Sequence, residues 1–401
     1  MKSKKNILIL TAATLILSLC GFFLSKTEEK LTPTFSPKSL SISSEAFSLK
    51  RAKELLKLCS VAQYPESLEA LISEASYTDF TFFEREQESI YGSGIGFGFA
   101  IRESPFGGYD ALLILRGTEG CEWFSNFAVG EGTLHAGFEA AADFVKEETD
   151  ARLESLNIKK EEVSITLSGH SRGGAVANLA AKAYLDEKKF REVSAYTFAA
   201  PNTTLEKNAD SDAYRSIFNI RNPEDFITFV PLESWGYTKY GVSIDLPSDI
   251  KGEYSEEYKK MQEIFFSKCG FPHKSYENGS KDIKALIKKL SSICPTVSDY
   301  YRKEISTPSS QVTVYEYLDK VSCVLSGERA INSGLFILSC LEASELSTVT
   351  QILTEGISLD RITESDTLTQ GALYCAHICE TYEAWLEALP EEYFLNMIKS
   401  S

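Results

Sequence analysis

Positive charge is scarce in this chain: 41 Lys and Arg stand against 57 Asp and Glu, for a formal net charge of −16. Without basic clusters no counterion release drives binding to a phosphate backbone, which excludes nucleic acid as a partner. The same balance favours solubility and slows adhesion to anionic membranes. Neither GxGxxG nor GKS/GKT occurs, so the common phosphate-cradling loops are missing as well. Nine cysteines are too few and too scattered for a disulfide framework in a chain of 401 residues, and no spacing fixes a pairing. Cys375-x-His377-x-Cys379 crowds three soft ligands together with no second pair elsewhere, which falls short of a zinc signature. No metal and no cofactor is expected. Histidine is scarce too, with four in all: His135, His170, His273 and His377.

What is present suffices for one large α/β core and a smaller second unit, given the length and a hydrophobic content of 43%. The N-terminus reads as targeting. Lys2, Lys4 and Lys5 precede an uncharged apolar run from Ile7 to Leu24, and a polar Ser/Thr/Pro tether follows over 26–44. Leu17-Ser18-Leu19-Cys20-Gly21 resembles a lipoprotein cleavage box, although Leu19 stands where a small residue is wanted. Cleavage, lipidation at Cys20 and an uncleaved membrane anchor stay open, and each places the body outside the cytoplasm.

The most informative segment is 163–174, VSITLSGHSRGG. A β-branched run breaks into Gly169-His170-Ser171-Arg172-Gly173 and then a small-residue helix, the strand–turn–helix setting of a nucleophile elbow. A serine hydroxyl is a weak nucleophile at neutral pH, so a tight turn must lift it to where an imidazole can take its proton. Around the elbow we expect a helical lead-in over 45–75 and a hairpin of strands near 93–102 and 110–116. A helix near 136–155 and strands near 193–198 and 215–220 follow, alternating as a parallel sheet covered by helices. From about 252 the pattern is helical, read as a cap folded onto the core. The expected organisation is a leader or anchor (1–25), tether (26–44), core (45–250), helical insertion (251–370), and a histidine loop with a closing helix (371–401).

Several ordered motifs resemble the class 3 lipases, the fungal-lipase-like branch of the α/β-hydrolases. Leu112 to Thr118 looks like that family's strand ending in an RGT turn, with Trp123 shortly after. Leu134-His135-Ala136-Gly137-Phe138 is similar to its HxGF element, Thr197 to Pro201 to its strand ending in a small-small-Pro turn, Phe218 to Asp225 to its Asp-bearing strand end, and Trp235-Gly236-Tyr237 to its aromatic segment. Two residues depart from the pattern. Arg172 stands where the family usually has leucine, and Asn126 where aspartate is common. A cation in the first turn of a helix opposes the macrodipole by up to about 1 kcal/mol, so an acidic neighbour is expected. Whether Arg172 is a solvated rim residue or holds an anionic part of a substrate stays open.

The resemblance implies an α/β-hydrolase fold and a Ser-acid-His triad. Ser171 would be the nucleophile and Asp225, just past a strand and behind Pro223, the acid in preference to Glu224 or Asp245. For the base, chain order sets aside His135 and His170. His377 precedes a C-terminal helix with an apolar stripe of Tyr382, Trp385, Leu386 and Leu389, and AHICETYEAWL looks like the histidine motif of a bacterial branch carrying a helical insertion. His273 is the alternative. The oxyanion donors would be the Arg172 N–H and Thr118, through its N–H and its hydroxyl. Hydrolysis of carboxylic esters, foremost acyl-lipid esters, is the implied activity. Acyl transfer on the same triad, or a membrane-tethered binding protein on a dead fold, are the other readings.

Overall fold

The computed structural model describes residues 46–86, 93–119, 122–248, 252–306, 311–325 and 368–400. The expected leader, the tether and Cys20 lie outside the described residues, as do 326–367 of the expected insertion. Two helices lead in, α1 (Leu49–Ser60) and α2 (Pro65–Glu74), before a seven-stranded sheet in sequential order. Its strands are β1 (Asp79–Arg85), β2 (Ile95–Glu103), β3 (Tyr109–Leu115), β4 (Val163–His170), β5 (Glu192–Phe198), β6 (Ile217–Arg221) and β7 (Val242–Asp245). β1–β2 and β2–β3 pair antiparallel, and every later pair is parallel.

The parallel strands read as near-continuous apolar runs because both faces of the sheet are covered. Along β3, Leu112 and Ile114 point into one core with α1, while Ala111, Leu113 and Leu115 point into the other with Phe138, Val145 and Leu179. The second core is roofed by α4 (Ala136–Ser155) and α5 (Arg172–Glu187), and α3 (Glu122–Phe127) is a short turn of helix after β3. In the first core, α11 (Cys379–Ala388) packs against both α1 and α6 (Ser255–Cys269), with Met261, Phe265, Tyr382 and Trp385 buried there.

The region after 252 is not purely helical. α7 (Ser280–Ile293) and α8 (Val297–Arg302) lead into a small antiparallel pair, β8 (Glu304–Ser306) and β9 (Gln311–Thr313), followed by α9 (Val314–Leu325). Strands of three residues are too short to show a period of two. β1 and the four-residue β7 escape for related reasons: β1 is a partly exposed edge strand with phenylalanines on both faces, and β7 is one alternation long.

The C-terminal stretch also departs from the expected loop and single closing helix. It is three helices, α10 (Leu368–His377), α11 and α12 (Glu391–Ser400), and His377 is the last residue of α10. The first break falls at Ile378, which is extended. There the carbonyls of Cys375, Ala376 and His377 accept from the Thr381 hydroxyl, Asn222 Nδ2 and His170 Nε2, which satisfies the orphan groups of a helix end. The second break falls at Leu389, held extended ahead of Pro390.

Candidate active site

Registry brings the ends of the central strands to one edge of the sheet, where ligands of open α/β sheets gather. Leu115 lies beside Gly169 and His170 beside Phe198, so the turn after β3, the elbow after β4 and the loop after β5 share that edge. Ser171 sits between β4 and α5 with φ 55° and ψ −126°, a conformation that costs a non-glycine residue about 1–3 kcal/mol. Its N–H donates to Phe198 O at 2.9 Å, which fixes the turn against β5. A Cβ at Gly169 would collide with the Gly173 backbone, and one at Gly173 with the carbonyls of Leu115 and Arg116. Those two glycines let the strand, the turn and the first turn of α5 close on each other.

Ser171 Oγ lies 3.0 Å from His377 Nε2, and His377 Nδ1 lies 2.8 Å from Asp225 Oδ2. All three residues are buried. Asp225 caps the 3₁₀ turn Phe226–Phe229, accepting from Ile227 N–H at 3.0 Å through Oδ1. Its Oδ2 also receives the Tyr382 hydroxyl at 2.8 Å. Burial and the neighbouring carboxylate push the Tyr382 phenol well above its ordinary value, so it remains a donor. The His377 main chain is held as well. Asn222 Nδ2 donates to Ala376 O at 2.9 Å, and His170 Nε2 donates to His377 O at 2.7 Å. Burial, reinforced by His377, lowers His170 to about 3, so its ring stays neutral with the proton on Nε2, where the carbonyl requires it. With both ring nitrogens of His377 committed to Ser171 and Asp225, the Cys375/His377/Cys379 cluster offers no free imidazole to a metal.

His273 is not brought into this group. It bonds Ser275 and packs edge-on against Phe265 and Tyr258, with burial lowering it to about 4. His135 is structural: it caps α4, its Nδ1 accepting from Phe138 N–H, while Nε2 donates to Asn126 O at 3.2 Å. Glu224 and Asp245 are elsewhere engaged, Asp245 with Arg221 at 2.6 Å.

Thr118 ends the turn after β3, and its Oγ1 receives Asn126 Nδ2 at 2.9 Å. Arg172 is not a solvated rim residue, because its side chain is 1% exposed. Uncharged acceptors surround it, and the acidic neighbour is Glu122, 3.7 Å away. Tyr382, Asn222 and His170 are the supporting residues that sequence reasoning missed. Tyr382 is hidden in an apolar stripe where it reads as packing, and Asn222 carries no signal beyond standing near Asp225.

The class 3 lipase family model matches residues 113–235, a span that runs from the strand before Thr118, through the elbow, past Asp225. This segment belongs to the class 3 lipases. Its mostly parallel sheet, with the serine on the turn from strand to helix, is an α/β-hydrolase arrangement. The chain is 29% identical over 138 residues to a lipase A from Sodiomyces alcalophilus, a match covering 30% of this chain and 33% of that relative. Among solved structures it is similar to the mono- and diacylglycerol lipase of Aspergillus oryzae, at 15% identity and a TM-score of 0.39, over 52% of this chain and 82% of that one. For the Rhizomucor miehei triacylglyceride lipase the figures are 18% and 0.32, over 42% and 67%.

Proposed function

We propose that this protein hydrolyses carboxylic esters, with acyl-lipid esters as the substrate class, through an acyl-enzyme on Ser171. The observation that carries the reading is the continuous hydrogen-bonded series Ser171–His377–Asp225, with the serine on a strained positive-φ turn. The relatedness of 113–235 to lipases supports the substrate class.

In this reading Asp225 accepts a hydrogen bond from His377 Nδ1–H, which keeps the proton on Nδ1 and leaves the Nε2 lone pair facing the serine hydroxyl. As Ser171 Oγ attacks the ester carbonyl carbon, its proton passes to Nε2. The oxyanion is received by the Arg172 N–H, at the first turn of α5, and by Thr118. Collapse returns the proton to the departing alcohol and leaves acyl-Ser171. Water then attacks with His377 again as base, releasing the acid. None of these steps calls for a cofactor.

A fluorophosphonate probe should label Ser171, and Ser171→Ala should abolish both labelling and ester hydrolysis, with a loss of about 10⁴- to 10⁶-fold. Undiminished turnover by the alanine variant would refute the reading. Recovery of free acid, rather than a new ester when an alcohol is added, separates hydrolysis from acyl transfer.

The basic start and apolar run of 1–25 further support export, the body being released or held at the membrane by that segment. Among the described residues no helix is long and apolar enough to cross a membrane. In a bacterial host the full chain should fractionate with membranes or medium, and palmitate labelling lost in Cys20→Ser would identify lipidation. Full-length protein in the cytosol would contradict export.

A further inference from the structure

Arg172 is a charge buried immediately after the proposed nucleophile, and its surroundings give it a task other than meeting substrate. Its Nη1 donates to Asn126 Oδ1 at 2.7 Å, and its Nη2 to Gly94 O at 2.8 Å and Ser93 Oγ at 3.0 Å. Burial lowers the guanidinium to about 10 while Glu122 pushes it up, so it remains charged at neutral pH. A guanidinium has donors only. Facing it, Asn126 must present its carbonyl oxygen, and the amide then turns Nδ2 toward Thr118 Oγ1. A threonine hydroxyl that accepts an N–H keeps its single proton for another partner.

We propose that Arg172 is a positioning residue: through Asn126 it sets the direction of a hydrogen-bond relay that keeps the Thr118 hydroxyl proton free for the substrate oxyanion. The inference rests on the ester-hydrolase reading and adds to it a cause for the two residues that depart from the family pattern. They act together, because the asparagine supplies the reversible dipole and the arginine fixes its sense.

The relay is held at both ends. His135 Nε2 fixes the Asn126 main chain, and a Cβ at Gly137 would strike the Ser125 carbonyl, so α3 lies hard against the start of α4. On the other side Glu122 receives Arg116 Nη2 at 2.9 Å and Glu119 N–H at 2.8 Å, clasping the turn that carries Thr118. Removing the guanidinium frees the amide to rotate. Its oxygen would then take the threonine proton, and the oxyanion would lose one donor while the triad stayed intact.

The test is a set of double-mutant cycles on a neutral ester, p-nitrophenyl butyrate, with 4-carboxyphenyl butyrate as its anionic counterpart. Thr118→Val and Arg172→Met should each lower kcat by about 100- to 1,000-fold with KM little changed, as loss of one oxyanion donor does, whereas Asn126→Ala, which removes the competing amide oxygen together with the amide donor, should cost less. Thr118→Val/Arg172→Met and Thr118→Val/Asn126→Ala should be no slower than Thr118→Val alone, because residues acting as a unit are non-additive. Arg172→Lys, which still donates to Asn126, should recover much of the rate. If Arg172→Met fails to fold, Arg172→Leu takes its place in the same cycle with Thr118→Val. Multiplying losses in the double variants would overturn the relay. So would a defect confined to KM for the anionic ester, which would assign Arg172 to substrate binding. A wild-type enzyme with neither hydrolysis nor phosphonate labelling would instead overturn the ester-hydrolase reading beneath it.

Discussion

At the residue scale, the tyrosine behind the proposed acid shows how a site hides in a hydrophobic pattern. Tyr382 shares an apolar stripe with Trp385, Leu386 and Leu389, and its ring is buried as that stripe demands. Its hydroxyl nevertheless reaches Asp225 Oδ2 at 2.8 Å and accepts the Asn222 N–H at 3.2 Å. A buried tyrosine carries a polar tip that periodicity does not see. Tyr382→Phe removes a donor to a charged oxygen and leaves the ring in place. The expected cost is about tenfold in kcat, in line with the 1.5–3 kcal/mol typical of hydrogen bonds to charged groups, only part of which is specific to the transition state. Steady-state kinetics at saturating ester would measure it, and an unchanged kcat would contradict a role in orienting Asp225. Ser171 and Asp225, which the structure brings together with His377, were legible because turn chemistry fixes their neighbours in sequence. Arg172 was legible only as an anomaly, since its acceptors Ser93, Gly94 and Asn126 come from segments that sequence order does not join.

Between elements, the seam joining the Asp225 loop to α7 holds a carboxyl in an adverse setting. Glu224 is 5% exposed and burial pushes it from 4.5 up to about 7, with Asp282 adding to the rise and the Tyr276 backbone opposing it. The folded chain therefore binds this proton more tightly than the unfolded chain does. Stability from this group is complete below the unfolded value, falls as pH rises between about 4.5 and 7, and is flat above. Glu224→Gln, neutral at every pH, should raise Tm by roughly 3–6 °C at about pH 8 and change it little near pH 5. An increment independent of pH, measured by calorimetry, would contradict the assignment. The elements flanking this seam were unequally legible. β4, α5 and β5 are long and strongly patterned. β7, β8 and β9 span one or two alternations, and the end of α10 at His377 is set by Asn222, His170 and Thr381 rather than by a local breaker.

Across the whole molecule, the proposed nucleophile and base are 206 residues apart in sequence, and the chain leaves the sheet after β7 and returns before the two can meet. The return is secured from both ends of the core. α11 packs between α1 and α6 in the first hydrophobic cluster, Glu391 Oε1 accepts the Leu49 N–H at 3.3 Å, and Tyr393 donates to Asp245 O at 2.6 Å. Local pattern could rank His377 against His273 only through what each resembles, because the contacts that separate them are all long-range. The choice fixes the architecture, since with His377 as base the C-terminal helices complete the catalytic site and are no accessory to it. The most direct measurement compares kcat/KM for Ser171→Ala, His377→Ala, His273→Ala and Ser171→Ala/His377→Ala on one ester, with folding of each checked by circular dichroism. The first two should lose activity to a similar degree, the double variant should lose no more, and His273→Ala should retain most of it. A His377→Ala enzyme that stays active, or a His273→Ala enzyme as inert as the serine variant, would contradict the account.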